Sequence, residues 1–513
     1  MHASDATAPA PLPPITRNQA IVTVGIMAAI ALAALDLSIV GTAMPTIIGQ
    51  LGGLGQYAWV FTAYLVTSTV SVPVYARLAD TYGRKPVILF GLTVFVVGSA
   101  LCGFSTSMNE LIAFRALQGL GAGAVQPISF TIAGDIFEPR RRARIQGWFS
   151  AVWGVSAIIG PAIGGLITTT VGWRWVFEIN IPVGIAAGVI IGLGLHETVE
   201  RKAHRIDWLG ALQLTASIVL LLFVVSGGGA AYGWLSLATI GLLGIAVALF
   251  AWFVVHERTA PEPLIDLDLF RAPLVRAGLS IGALSGVVMF GLTTYVPPMV
   301  QGVHGGTALD AGVAVAAMSI GWPVGSVVAG RLLGRTGARP IVLAGTALLV
   351  AGSLLVSQVG RFDALGYALV ACAVTGLGMG LSSTTLLVVI QGAVAWDRRA
   401  VATGLVQFSR TIGGAVGVGI MGGILTAFVG TASSAILDPV ARTTADPAAI
   451  AAARDSLASG LGVVYWLMVV CAVAAFVLAV RGMPDVALGH ELEVSAEPGM
   501  SSEPGMAGAR RAG

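Results

Sequence analysis

The chain of 513 residues is strongly apolar, since 56% of its residues are hydrophobic and only 10% are charged. Soluble globular proteins average about 25% charged residues, so very little of this chain can form a soluble domain. The net charge is only +3. The basic residues cluster at the ends of apolar stretches and have no soluble fold to present them, which argues against nucleic-acid binding.

In chain order, a polar tail rich in Ala and Pro precedes fourteen apolar stretches. Each has the length of about 20 residues that a membrane-spanning helix needs. The stretches are continuous and lack the alternation of a transmembrane β-barrel. An outer loop is predicted over 430–461, with a short helix at its Ala-rich run 448–453, and both tails are predicted to be disordered. The predicted spans are 20–43, 57–78, 86–105, 110–134, 143–168, 174–196, 207–226, 235–255, 275–300, 310–331, 340–359, 363–391, 400–429 and 462–481.

Lysine and arginine residues are distributed unevenly between the two sides of these spans. If the N-terminus is cytoplasmic, most of the 28 basic residues face the cytoplasm, as the positive-inside rule requires. An even number of spans then places both termini in the cytoplasm. The protein is expected in the cell membrane. The exceptions are Arg174, Arg361, Arg442 and Arg454 outside, and Arg115 and Arg410 within spans.

Asp36 is an acidic residue within the first apolar stretch, and no basic residue adjoins it. A carboxylate at the centre of a bilayer costs about 2.5–3.5 kcal/mol on insertion scales. Such a residue does not stabilise a membrane helix. Its presence indicates that Asp36 changes its protonation or meets a cation inside the membrane.

The chain also contains an internal repeat, with the copies about half a chain apart. Two related halves of six spans predict a transporter whose site lies near the membrane midplane. The repeated segments are 83–86 and 337–340, 119–123 and 376–380, and 141–147 and 398–404. The predicted domains are a tail (1–16), a six-helix bundle (17–200), two extra helices (201–260), a second six-helix bundle with the outer loop (261–483), and a tail (484–513).

The segment 75–86 after the second span resembles the loop signature of the major facilitator superfamily, Gly-x-Leu-Ala-Asp-Arg-x-Gly-Arg-Lys/Arg. Asp80 is expected to accept hydrogen bonds from the first amides of the next helix. Arg84, followed by Lys85, is expected to pair with a carboxylate such as Asp135. This latch would hold one gating state because it forms only when the cytoplasmic ends close. The alternative is a basic loop that only sets the topology.

The fourth span carries Arg115 and the glycines of 119–123, and it resembles the superfamily motif that contains a buried arginine. The resemblance implies a role in proton handling, with Asp36 as the candidate partner. Alternatively, Arg115 only satisfies backbone carbonyls of a neighbouring helix. The corresponding residue of the second half is Cys372, so only the first half carries this charge.

The fifth span matches the antiporter motif Gly-x₅-Gly-Pro-x₂-Gly-Gly at Gly154, Gly160, Pro161, Gly164 and Gly165. Gly160 and Gly164 form a small-residue face that permits close helix approach. Pro161 removes a backbone hydrogen bond and bends the helix. The resemblance to this motif implies export rather than import.

Two further segments, 35–45 and 172–184, resemble the fourteen-span drug:proton antiporters of this superfamily. The resemblance implies an all-α integral membrane protein with two six-helix bundles and two extra central helices. It also implies proton-coupled efflux of amphipathic or lipophilic compounds, with protons, substrate and the bilayer as partners. No cofactor beyond the proton gradient is expected, and the protein is expected to be a monomer.

Further polar and aromatic residues are candidates for function. Glu178 is either a second proton site or an interfacial partner of Arg174, and Arg410 is either a gating ion-pair residue or an anchor for carbonyls. The candidate substrate-binding residues are Gln118, Gln126, Met289, Phe290, Tyr295, Met318, Trp322, Gln407 and Phe408.

Other classes of function fit the sequence less well. An exporter or flippase of lipids, glycolipids or an endogenous metabolite remains the alternative within transport. The chain contains no phosphate-binding loop for ATP and no nucleophile–base or metal cluster for an enzyme. Its three cysteines all lie in apolar stretches, which indicates neither disulfides nor a metal site.

Overall fold

A computed structural model describes residues 15–137, 139–197, 207–225, 236–261, 263–265, 267–360, 365–394, 399–429 and 446–483. Within these ranges the chain is helical and contains no β-strand. The two tails, which were predicted to be disordered, lie outside the described ranges apart from residues 15 and 16. Residues 430–445 of the predicted loop also lie outside them.

Each predicted span contains a helix, mostly within a few residues of the predicted boundaries. In the described ranges, eleven helical segments are long and apolar enough to cross a membrane. The predicted all-helical, multi-pass membrane protein is therefore confirmed. The helices are α1 (Arg17–Leu51), α2 (Tyr57–Tyr82), α3 (Arg84–Phe104), α4 (Met108–Ile136), α5 (Pro139–Thr170), α6 (Asn180–Gly194, after a turn at Trp175–Glu178), α7 (Trp208–Phe223), α8 (Leu237–Glu257), α9 (Pro273–Pro298), α10 (Ala308–Thr336), α11 (Ala338–Ser357), α12 (Leu365–Gly392), α13 (Arg399–Phe428) and α14 (Pro447–Gly482).

The start of α14 differs from the prediction. Asp446 accepts a hydrogen bond from the amide of Ala448 at 3.1 Å, and Pro447 occupies the first turn, so both residues start a helix well. The alanines of 448–453 then continue the helix without a break to Gly482. The predicted loop 430–461 was therefore too long, because hydropathy alone does not detect a capped helical extension beyond the apolar stretch.

The contacts between helices repeat in the two halves. Helix α1 packs against α5 and α6, and α9 packs in the same way against α13 and α14. Helix α4 packs against α2 and α3, as α12 packs against α10 and α11. The internal sequence repeat thus corresponds to a repeated packing arrangement.

The two halves meet along two seams, between α5 and α10 and between α2 and α13. We call the end of the bundle where α1 finishes the upper end, and the end where α1 begins the lower end. Near the upper end, a Cβ atom on Gly165 would lie 2.7 Å from the Cα atom of Leu309. The Tyr57 hydroxyl donates to the carbonyl of Thr294 at the same end. The halves are therefore packed tightly together at the upper end.

Helices α7 and α8 form a hairpin beside the seam between α2 and α13. Helix α7 contacts both of these helices, and the ring of Phe223 lies 6.4 Å from the ring of Trp59 on α2. Helix α8 packs mainly against α7, and most of its large apolar side chains are exposed. These exposed side chains suit contact with lipid.

Candidate functional site

Asp36 lies at the centre of a buried polar cluster in the first half. Its Oδ2 atom accepts a hydrogen bond from Nη1 of Arg115 at 2.6 Å, which completes an ion pair. Its Oδ1 atom accepts hydrogen bonds from the side-chain amides of Gln118 at 2.8 Å and Asn180 at 2.9 Å. The exposed fraction of these four residues is at most 2%. One carboxylate thus links α1, α4 and α6.

The guanidinium of Arg115 is held on several sides. Nη1 also donates to Oε1 of Gln118 at 2.7 Å, and Nε donates to the carbonyl of Val60 on α2 at 3.4 Å. The guanidinium carbon lies 4.2 Å from the ring centroid of Tyr64, a favourable cation–π distance. Both expected roles of Arg115, pairing with a carboxylate and binding a carbonyl, therefore occur together. In the described part of the chain its Nη2 atom is buried without a hydrogen-bond partner.

Asn180 and Ser99 belong to the cluster, although the sequence did not identify them as site residues. The Asn180 amide joins Asp36 to the hydroxyl of Ser99 at 2.9 Å, and Ser99 donates to the carbonyl of Phe177 at 2.8 Å. A primary amide within an apolar stretch was the available signal for Asn180. Gln118, predicted to bind substrate, lies in this cluster instead.

The contacts of this cluster depend on the negative charge of Asp36. A buried ion pair is seldom a large net source of stability, because removing two charges from water offsets most of their attraction. Protonation would convert Asp36 to a neutral acid and would leave Arg115 without its counter-charge. The amides of Gln118 and Asn180 would then lose a charged acceptor and bind more weakly. Proton binding at Asp36 would therefore loosen the contacts among α1, α4 and α6.

Glu178 lies near this cluster but does not pair with Arg174. Its half-buried side chain packs towards Gly103 on α3, where a glycine Cβ atom would lie 3.2 Å from Cγ of Glu178. Arg174 instead donates to the carbonyl of Ser105 at 3.3 Å and stacks on Trp173. The ion pair considered from the sequence is thus absent from the described residues, because the two side chains leave the turn in different directions.

Arg84 and Asp135 form an ion pair at the lower end, with 3.2 Å between Nε and Oδ2. The sequence predicted this pairing. However, α3 and α4 are packed neighbours within one half, so the pair does not bridge the two halves. It is also present while the halves are packed together at the upper end. Its dependence on closure of the cytoplasmic ends stays a prediction.

The start of α3 is capped by Glu197. Its Oε1 atom accepts hydrogen bonds from the amides of Arg84 and Lys85, the second at 3.0 Å. A carboxylate is favoured here by the free amides and by the helix dipole. Asp80 was expected to bind these amides, and its side chain lies outside the described part of the chain. Glu197 instead ties the segment after α6 to the loop between α2 and α3.

We expect Glu197→Ala to lower the unfolding free energy by about 1 kcal/mol, the usual effect of removing a helix cap. Its thermal midpoint in detergent should fall, whereas Glu197→Gln, which keeps one acceptor oxygen, should lose less. The exposed residue Asp455, replaced by asparagine, provides the control. An unchanged midpoint for Glu197→Ala would show that the cap contributes nothing.

The glycines of the α5 motif pack against two different helices. On the first face, a Cβ atom on Gly160 would lie 2.6 Å from Cβ of Ser38. A Cβ atom on Gly164 would lie 2.8 Å from the carbonyl oxygen of Ile39. These contacts bring α5 against the backbone of α1 within one turn of Asp36. The motif therefore supports the helix that carries the buried carboxylate.

The second face of the motif meets the other half. Gly165 packs on Leu309, and the carbonyl of Pro161 also faces α10. Gly154 has more room, since a Cβ atom there would lie 3.5 Å from Cγ of Pro323, an ordinary contact distance. Helix α5 thus joins α1 to the opposite half.

The predicted substrate-binding residues divide into two groups. Phe290, Tyr295 and Met318 are buried within helix packing, and the Tyr295 hydroxyl donates to the carbonyl of Val418 at 2.7 Å. They do not line an accessible wall in this conformation, because neighbouring helices occupy their surfaces. The half-buried group is Gln126, Met289, Trp322, Gln407 and Phe408.

Arg410 lies on α13 in the second half. Its Nη2 atom donates to Oε1 of Gln407, and its guanidinium carbon lies 5.1 Å from the ring centroid of Trp322. The Nε atom is buried and has no hydrogen-bond partner in the described ranges. Its side chain binds neither a carboxylate nor a backbone carbonyl there, so neither role predicted for Arg410 is seen.

Comparison with known proteins agrees with this architecture. Residues 26–208 and 195–418 match the Major Facilitator Superfamily. The chain is 38% identical over 403 residues to the Bacillus subtilis multidrug transporter protein MdtP, covering 79% of this chain and 74% of the relative. It is 36% identical over 405 residues to multidrug resistance protein 3 of the same organism, with 79% of each chain covered.

Solved structures share the fold. A bacterial homologue of the human lysosomal transporter Spinster has a TM-score of 0.63 at 16% identity, with 91% of this chain and 98% of that chain covered. A POT-family peptide transporter has a TM-score of 0.61 at 16% identity, with the same coverage. Identities this low establish similarity of fold alone.

Two related halves of membrane helices, together with the matched family and the names of the relatives, point to a membrane transporter rather than an enzyme. The chain belongs to the Major Facilitator Superfamily. The resemblance to multidrug transporters seen in the sequence motifs is confirmed by its relatives.

Proposed function

We propose that this protein exports drugs and other amphipathic compounds in exchange for protons by alternating access. The observation that carries the proposal is the buried contact between Asp36 and Arg115, which places a titratable carboxylate inside the membrane bundle. The names of the relatives, multidrug transporter and multidrug resistance protein, support drugs as the substrates. The α5 motif, by its resemblance to antiporters, supports export.

The topology we propose has fourteen spans, with both termini in the cytoplasm and the protein in the cell membrane. The basic residues of the lower end support this orientation by the positive-inside rule. The upper end then faces outward. We propose that the protein acts as a monomer, with the proton gradient as its energy source and no cofactor.

In the proposed cycle, the conformation with a packed upper end receives substrate from the cytoplasm or the inner leaflet. The halves then rock about the seams, and substrate leaves outward. A proton from outside binds Asp36, weakens its hold on Arg115 and returns the halves to the first conformation, in which Asp36 releases the proton to the cytoplasm. A pH difference of one unit corresponds to about 1.4 kcal/mol. A membrane potential of 100 mV adds about 2.3 kcal/mol per charge moved.

The test of this function is transport by purified protein in liposomes under an imposed pH gradient. We expect an acidic compartment on the outer face to drive uphill movement of a cationic dye, accompanied by proton flux. A panel of cationic, neutral and lipid substrates separates drug export from the alternative of lipid or metabolite export. Transport that does not respond to the gradient would refute proton coupling.

Glu178 is proposed as a second proton site, because its half-buried carboxylate lies beside the Asp36 cluster without a basic partner in the described residues. We expect Glu178→Gln to shift the pH at which transport is half-maximal while the protein still transports. Glu110→Gln, at an exposed helix start, is the matched control. An unaltered pH profile for Glu178→Gln would limit Glu178 to packing.

A further inference from the structure

We propose that Arg410 is the binding site for an anionic group of the substrate, so that carboxylate- or phosphate-bearing amphiphiles are a substrate class of this transporter. This inference rests on the proposed function and assigns a ligand chemistry to the second half. It concerns a residue separate from the Asp36 cluster.

The backbone at Arg410 is fixed by close helix packing. Gly286 on α9 lies so near that a Cβ atom there would be 3.2 Å from the Cα atom of Arg410. The guanidinium is then held between the ring of Trp322 on α10 and the amide oxygen of Gln407. These contacts orient the group but leave its Nε atom buried and without a hydrogen-bond partner in the described residues. Arg410 can therefore donate further hydrogen bonds from a preorganised position.

The charges of the described helices leave Arg410 without a counter-charge. Asp36 pairs with Arg115 and Asp135 with Arg84. A cation at this depth in a membrane bundle normally pairs with an acid or faces a water-filled cavity. Because no described carboxylate pairs with Arg410, an anionic ligand is the group that would complete the site.

The surroundings of Arg410 provide both access and an apolar surface. Gln407 and Trp322 are half-buried. Gly404, one turn before Gln407 on the same face of α13, is exposed. Among the described residues, no atom outside its own stretch of helix lies within 4 Å of its Cβ position. This open space lies towards the lower end, where α13 begins. The indole of Trp322 can contact an apolar body while the guanidinium fork binds a carboxylate or phosphate.

The experiment measures binding to the purified full chain in phosphatidylcholine nanodiscs, without a pH gradient. The probes are 11-(dansylamino)undecanoic acid and its primary amide, which share one apolar body and differ in charge. We expect the acid to bind wild-type protein about tenfold more tightly than the amide. Arg410→Gln should abolish this preference, and Arg410→Lys should keep part of it. Arg454→Gln, at an exposed arginine of α14, should keep all of it.

Competition distinguishes the sources of the anionic group. Displacement of the probe by lysophosphatidic acid but not by lauric acid would identify a lipid phosphate as the ligand, and the reverse would identify a free acidic amphiphile. Equal binding of acid and amide to wild-type protein would overturn the proposal, even if Arg410→Gln failed to fold. A preference that persists in folded Arg410→Gln would also overturn it. Proton-driven dye export is measured separately, so failure of proton coupling does not affect this result.

Discussion

Asp36→Asn is expected to reduce proton-driven dye export to the rate of protein-free liposomes. Asparagine keeps nearly the same shape and an acceptor oxygen for Arg115, but it cannot bind and release a proton. The amide nitrogen that replaces Oδ1 cannot accept hydrogen bonds from Gln118 and Asn180, so these two side-chain amides must reorient within the same packing. The variant should therefore insert into the membrane and bind dye, while an imposed pH gradient no longer drives transport.

Controls for this prediction must separate coupling from folding. Removing one partner of a buried ion pair can destabilise a protein by about 3–5 kcal/mol, because the other charge is left uncompensated. We therefore pair Asp36→Asn with the double substitution Asp36→Asn and Arg115→Gln, which removes both charges. Asp455→Asn, at an exposed position, is the matched control. Wild-type rates of gradient-driven export by Asp36→Asn would refute its role in proton coupling.

Gly164→Ala is expected to block transport through a contact that lies outside the polar cluster. The added Cβ atom would lie 2.8 Å from the carbonyl oxygen and 3.0 Å from the Cα atom of Ile39. Backbone atoms cannot rotate away, so α1 and α5 must separate, and overpacking of this kind costs about 1–3 kcal/mol. Since Asp36 lies on α1, its position relative to Arg115 would change. Leucine at position 164 should have a larger effect than alanine.

Gly154→Ala is the matched control for this prediction, since it lies in the same motif of the same helix. A Cβ atom there meets Pro323 at 3.5 Å, an ordinary contact, and alanine favours a helix more than glycine does. We expect its transport rate to stay close to that of wild type in the liposome assay. Equal rates for Gly154→Ala and Gly164→Ala would mean that close packing of α1 on α5 is not required for the cycle.

Much of the candidate site could be predicted because charges are scarce in the membrane. Asp36 and Arg115 are charged residues in apolar stretches, and a low dielectric favours their pairing. The ion pair between Arg84 and Asp135 was predicted from their places at the ends of adjacent helices. Asn180 and Ser99 were not identified, because neutral polar residues are common in membrane helices and only helix rotation decides what they face.

Other features that the sequence did not predict have the same origin. Glu197 caps α3, although more than a hundred residues separate it from Arg84 and Lys85 in sequence, and nothing in the local pattern indicates this contact. Helix α14 begins at Pro447 because capping and alanine propensity extend it beyond its apolar stretch.

The sequence by itself determined the membrane helices, their repeat in two halves and the family motifs, because hydropathy, charge and glycine spacing are local properties. The tertiary structure decided which side chains share a site. It gathered Gln118 and Asn180 around Asp36, left Arg410 facing Trp322, and closed the upper end. These contacts depend on the rotation and crossing of helices far apart in the chain, which packing of complete surfaces fixes and no single segment encodes.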